Sequence, residues 1–162
     1  MRTVEEQVID NIMEAEKVKT ESEIVQDVLN ILDEMRARGF SDLLPGELTE
    51  FAGQLSILNI NLGQVTNEWE MEWEMREVDR QIGYEQKFLE LKEDDTVKMT
   101  QRDREAVAKR ETLKNYREQI KAKFIFKTFK NLHEGIDNLI PVMLNRRNHL
   151  AEERKNSGTF QQ

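Results

Sequence analysis

Residues 101–155 read QRDREAVAKRETLKNYREQIKAKFIFKTFKNLHEGIDNLIPVMLNRRNHLAEERK. Apolar residues recur there in three- and four-residue steps, the period of a helix. The first part, 101–130, holds ten basic and four acidic side chains, whereas 67–95 holds eleven acidic and four basic. Between them Glu93 to Met99 is polar and has no apolar stripe. The pattern predicts an antiparallel helical hairpin whose arms carry opposite charge and which turns between residues 93 and 100. Thr100 with Asp103 is a capping pattern that opens the second arm.

The first arm should run from Pro45 to about Lys92, a rod of roughly 70 Å at 1.5 Å per residue. Leu48, Phe51, Leu55, Leu58, Leu62, Val65 and Trp69 step by three and four, a seam of coiled-coil quality. Ala52, Gly53 and Gly63 are small enough to let another helix approach. Residues 68–75 read EWEMEWEM. Strict alternation also suits a strand, but Glu and Met favour helix and both flanks are helical in period. On a helix Trp69 and Trp73 lie on one side, Met71 and Met75 on the opposite one. Either one side meets the chain's own helices while the other is partly exposed, or the four residues form a subunit or partner interface.

In the basic arm Ala106, Leu113, Ile120 and Phe124 share one stripe, and the seam then shifts to Ile125, Phe129, Leu132, Ile136, Leu139 and Met143. Pro141 should kink the helix rather than end it, because Val142 to Glu153 still reads helical. Arg110, Lys114, Arg117 and Lys121 make a basic stripe that could face Glu70, Glu74 and Glu77 as a charge zipper. Lys123, Lys127 and Lys130 form a second, with Phe124, Phe126 and Phe129 between them. Cations beside flat rings suit single-stranded nucleic acid. Phe124 and Phe129 are expected in the core and Phe126 at the surface. Arg146 and Arg147 could add phosphate contacts, or simply answer the helix dipole.

Before the hairpin, residues 1–44 should form two shorter helices. Val4, Val8 and Ile12 mark the first. Thr20 with Glu23 caps the second, and Arg36, Arg38 and Gly39 end it. Phe40, Leu43 and Leu44 are too apolar for a free linker. The expected organisation is an N-terminal segment over 1–44, the hairpin over 45–155, and a polar tail over 156–162.

Bulk composition agrees with long thin helices. Of 162 residues, 38% are hydrophobic and 35% charged, with seven Gly and two Pro. The net charge of −8 opposes nonspecific nucleic-acid binding unless charge is segregated. There is no Cys, so no disulfide or thiolate metal site. No run of membrane-spanning length or secretory signal is present, and a cytoplasmic protein is expected. His133 and His149 have no metal-ligand spacing, no serine has a base beside it, and no phosphate or dinucleotide loop occurs. Neither enzyme activity, cofactor nor metal is expected.

The helix ending in FKTFKNLHEGIDNLIPVMLNRRNHL resembles that of the phage UvsY-type recombination mediators: an aromatic-rich entry, an amphipathic turn containing aspartate and a basic exit. The resemblance covers roughly residues 69–153. It implies a homo-oligomer that binds single-stranded DNA and helps load a recombinase. It points to the basic residues Lys121, Lys123, Lys127, Lys130, Arg146 and Arg147; with Phe126 from the second stripe these are the candidate nucleic-acid contacts. The acidic net charge, Pro141 and the N-terminal extension depart from that family. The competing expectation is a helical protein-binding module, an adaptor, assembly or anti-defence factor, that uses the Trp69, Met71, Trp73 and Met75 faces and never touches DNA.

Overall fold

A computed structural model describes residues 20–94 and 98–158. Among the described residues are four α-helices, one short 3-10 turn and no strand. They are α1 (Glu21–Arg38), the turn Phe40–Asp42, α2 (Pro45–Glu93), α3 (Gln101–Glu111) and α4 (Leu113–Gly158). The expected all-α hairpin is formed by α2 against α3 and α4. The helix expected over 3–17 lies outside the described residues.

The helix starts follow the capping chemistry. The Thr20 and Thr100 hydroxyls accept from the Glu23 and Asp103 amides, while those two carboxylates accept from the Thr20 and Thr100 amides. At α2 the Glu47 carboxylate accepts from the Leu44 amide at 2.7 Å, and Pro45 fills the first turn. Gly39 ends α1 at φ 78°, with its N–H donated to the Arg36 carbonyl. That backbone geometry is why a glycine stands there. The loop then packs down: Leu43 is buried and Phe40 is partly so, although Leu44 is left outside.

α1 runs antiparallel to the first half of α2. At one end Trp69 Nε1 donates to Glu21 Oε1 at 2.8 Å; at the other Arg38 Nη1 lies 2.7 Å from Glu47 Oε1. The base of the molecule is thus a three-helix assembly of α1, α2 and the second half of α4. Its largest fully buried side chains are Ile24, Val28, Leu48, Leu55, Leu62, Ile136 and Met143. The predicted α2 seam from Leu48 to Val65 is the core, with Trp69 partly buried at its end. Gly63 lets the His133 ring lie close, but a side chain at Gly53 would meet nothing, so only one of the two glycines marks an approach.

Beyond Trp69, among the described residues, two rods continue as an arm. Gly83 lies against Asn115 and Thr112, Arg76 against Glu118, Trp73 against Phe126, and Asn59 against His133 and Asp137. Every step along α2 is matched by a step back along α4, which is antiparallel register.

Three expectations about the second arm need correction. A single helix was expected, but it is interrupted at Thr112. The Thr112 hydroxyl donates to the Ala108 carbonyl at 2.8 Å, and the residue sits at φ −91°, ψ 9°. A β-branched hydroxyl bonding back to its own helix competes with the regular ladder there. The helix runs on through Pro141, as the helical pattern beyond it requires, but continues to Gly158, past the expected limit at 155. The missing proline N–H leaves only the Asp137 carbonyl without its helical donor. Finally, the stripe of Leu113, Ile120 and Phe124 faces solvent, and the inner face uses Ala108, Gln119, Ala122 and Phe126. Opposite this face α2 presents Trp73, stacked on Phe126, and Arg76, paired with Glu118.

Candidate functional site

The arm is where the sequence placed its candidate residues, and the structure separates them into inner and outer sets. Residues two apart on a helix lie about 200° apart around its axis. Trp69 and Trp73 therefore turn inward, and Met71 and Met75 turn outward at 64% and 60% exposure. The four do not make one surface. Trp69 holds the start of α1 through Glu21. Trp73 stacks on Phe126 with ring centroids 5.5 Å apart.

That stack overturns the placement of the phenylalanines. Phe126, expected at the surface, is 6% exposed, while Phe124, expected in the core, is 71% exposed. Trp73 is half-buried and needs a flat partner, and Ala122 beside Phe126 leaves the space. Phe129 is buried as expected.

The basic residues divide in the same way. Lys123 Nζ sits 4.9 Å above the Trp73 ring, and Lys130 Nζ lies 5.8 Å from the Phe126 centroid and 3.9 Å from Glu134. Both cations thus cover the aromatic stack, a use worth about 0.5–1 kcal/mol each at exposed sites. Arg146 donates to the Ser41 carbonyl and Arg147 to the Asn148 side chain. Only Lys121 and Lys127, of the seven candidate nucleic-acid contacts, make no such contact among the described residues.

Among the described residues the expected charge zipper does not form. The ion pairs that cross the arm are Arg76 with Glu118 at 3.4 Å and Lys87 with Glu111 at 3.1 Å. Each joins a base on the acidic rod to an acid on the basic rod. In these two pairs the minority charge of each rod meets that of the other. Hydrogen bonds to Glu90 and then Glu111 push the Lys87 ammonium above its ordinary value, and the Glu72 carboxylate does the same for Arg76. The majority charges point away. None of Arg110, Lys114, Arg117 and Lys121 forms an ion pair among the described residues, nor does Glu70, Glu74 or Glu77.

Two outward faces result. On α2, Met71, Met75, Val78, Ile82 and Leu89 are all exposed and fall within roughly 60° of arc at 100° per residue. Glu68, Glu74, Asp79 and Glu85 are exposed beside them. On α4, Leu113, Tyr116, Ile120 and Phe124 are exposed on a similarly narrow stripe, with Arg117, Lys121 and Lys127 at its edges. The signal was in the sequence: both stripes have helical spacing, but nothing local shows which of two stripes on a rod is the inner one.

Among the described residues no helix is long and apolar enough to cross a membrane, and no group of His, Asp or Glu could hold a metal ion. No family model matches the chain, and no curated protein or solved structure matches it significantly.

Proposed function

We propose that this chain is a non-enzymatic helical interaction module that works through the outer faces of its two-helix arm. One observation carries the reading. The arm turns large apolar side chains outward, Ile120 and Phe124 on one rod and Met71 and Met75 on the other, while Ala108 and Ala122 face inward. Folding alone gains nothing from that choice, and exposed apolar stripes rimmed by charge are what partner surfaces require. The test is to replace Met71, Met75, Ile120 and Phe124 with Gln, one at a time. Each should shift unfolding in dilute solution by less than about 0.5 kcal/mol, yet weaken association at high concentration or with a partner. A loss of roughly 2–5 kcal/mol in dilute solution, as for core truncation, would mean that the chain itself covers these faces.

A second reading is favoured by Arg117, Lys121 and Lys127, which lack ion pairs among the described residues and flank exposed Tyr116 and Phe124. Such a face suits single-stranded DNA, and a recombination accessory role of the kind the resemblance implies would need it. Fluorescence anisotropy of a labelled oligonucleotide would then show affinity that falls with salt, by a slope of about −0.7 per phosphate contact. Lys121→Glu with Lys127→Glu should abolish it. Binding that ignores both substitutions removes this reading and leaves the first.

A further inference from the structure

We infer that the arm assembles head to tail with further copies of the same chain, the acidic outer face of α2 in one copy lying on the basic outer face of α4 in the next. The inference rests on the reading of the arm as an interaction surface, and it names the occupant.

The two faces lie on opposite sides of the hairpin, because each is opposite its own rod's inner seam. They also stand at the same height. Met75 adjoins Arg76, Ile120 is two residues from Glu118, and Arg76 meets Glu118 across the arm. Each stripe is narrow and apolar, and helix stripes of this kind bury best against another helix. Their rims differ in sign. Glu68, Glu74, Asp79 and Glu85 line the α2 stripe; Arg117, Lys121 and Lys127 line that of α4. None of these seven forms an ion pair among the described residues.

Charge then decides between pairings. Placing α2 on the α2 of another copy sets carboxylate against carboxylate, and α4 on α4 sets cation against cation. Like charges brought together across an interface select against both. Only α2 on α4 joins apolar stripe to apolar stripe and acid to base. Because the faces are different and opposed, a joined pair keeps one of each unfilled after the first contact, one on each copy. The arrangement is heterologous, and it ends as a closed ring or continues as a filament. It also accounts for the inner ion pairs. With Arg76–Glu118 and Lys87–Glu111 used within the arm, the remaining charge of each rod is free to choose a neighbour.

The chain has no Cys, so single cysteines report contacts cleanly. Met75→Cys and Ile120→Cys are prepared separately, checked for helicity, and oxidised alone and mixed. The expected result is a solution mass above the 19.2 kDa of one chain for the wild type. Cross-linked dimers should form in the mixture and be scarce with either variant alone. Met75→Cys that cross-links to itself as fully as in the mixture overturns the proposal, because α2 then meets α2. A wild type that stays at single-chain mass at its highest attainable concentration, with no cross-link in the mixture, overturns it too. In either case the interaction-module reading survives if the Gln substitutions leave dilute-solution stability unchanged, and falls if they do not. Glu74→Lys with Asp79→Lys adds an independent check: it should be monomeric alone and should assemble again when mixed with Arg117→Glu, Lys121→Glu.

Discussion

Trp73 lies face to face with Phe126, the planes 16° apart, although the two are on different rods and fifty-three positions apart in the chain. Lys123 caps the outer side of the indole. Among the described residues the pair of Trp73 and Phe126 is the aromatic stack that joins the two rods.

Phe126→Ala should therefore behave as a core truncation and cost about 3–5 kcal/mol. Phe124→Ala, two residues away, should stay within about 0.5 kcal/mol. Urea denaturation of both proteins in dilute solution checks this. Equal losses would mean that the inner face of α4 is wrongly assigned.

Asn59 is buried in the apolar seam and holds a small polar network. His133 Nδ1 donates to its side-chain oxygen at 2.8 Å, and its amide donates to Asp137 Oδ1 at 2.5 Å. A single buried amide in such a seam fixes register. Asn59→Ala should cost about 1–3 kcal/mol, since it leaves the His133 donor without its acceptor. The double variant with His133→Ala should lose less than the sum of the two singles, by about 0.5–3 kcal/mol. Strict additivity in the cycle would show that the three groups do not act together.

Lys87 bonds Glu90 on its own rod at 2.9 Å and Glu111 on the other at 3.1 Å. Its pKa is raised in the folded chain, so the unfolded chain releases that proton first as pH rises. The stability it adds is fully present below its ordinary pKa and fades as pH passes through the raised value. The difference in stability between wild type and Lys87→Met should be flat through neutral pH and shrink only in strongly alkaline solution. A difference that already shrinks between pH ~6 and ~8 would point to another group.

The glycines should divide by surroundings. A methyl group at Gly53 or Gly135 would meet nothing, so Gly53→Ala and Gly135→Ala should each stabilise by roughly 0.5–1 kcal/mol. At Gly39 the backbone is at φ 78° and a methyl would lie 2.9 Å from Asp42 Oδ2, so Gly39→Ala should destabilise by about 1–2 kcal/mol. Thermal melts of the three proteins test the contrast. A gain at Gly39 would show that the end of α1 has a different backbone.

Much of the fold can be read from local pattern. The capping pairs at Thr20 and Thr100, the Gly39 stop, Pro45 at a first turn and the long seam from Leu48 to Trp69 all act within a few residues. Their chemistry operates at that range, so a sequence shows them directly. The opposite charge of the two rods and their antiparallel course are equally plain.

What the sequence could not decide was which way each rod turns in the arm. α2 and α4 each carry two stripes of helical period there, and either could be the seam. The choice was made across the gap, where Trp73 on one rod stacks on Phe126 of the other and Arg76 and Lys87 meet Glu118 and Glu111. That pairing goes with a buried Phe126 and an exposed Phe124. Pairing between residues dozens of positions apart is a property of the packed pair. It leaves no mark on either helix read alone, so only the tertiary structure distinguished core from surface in the arm.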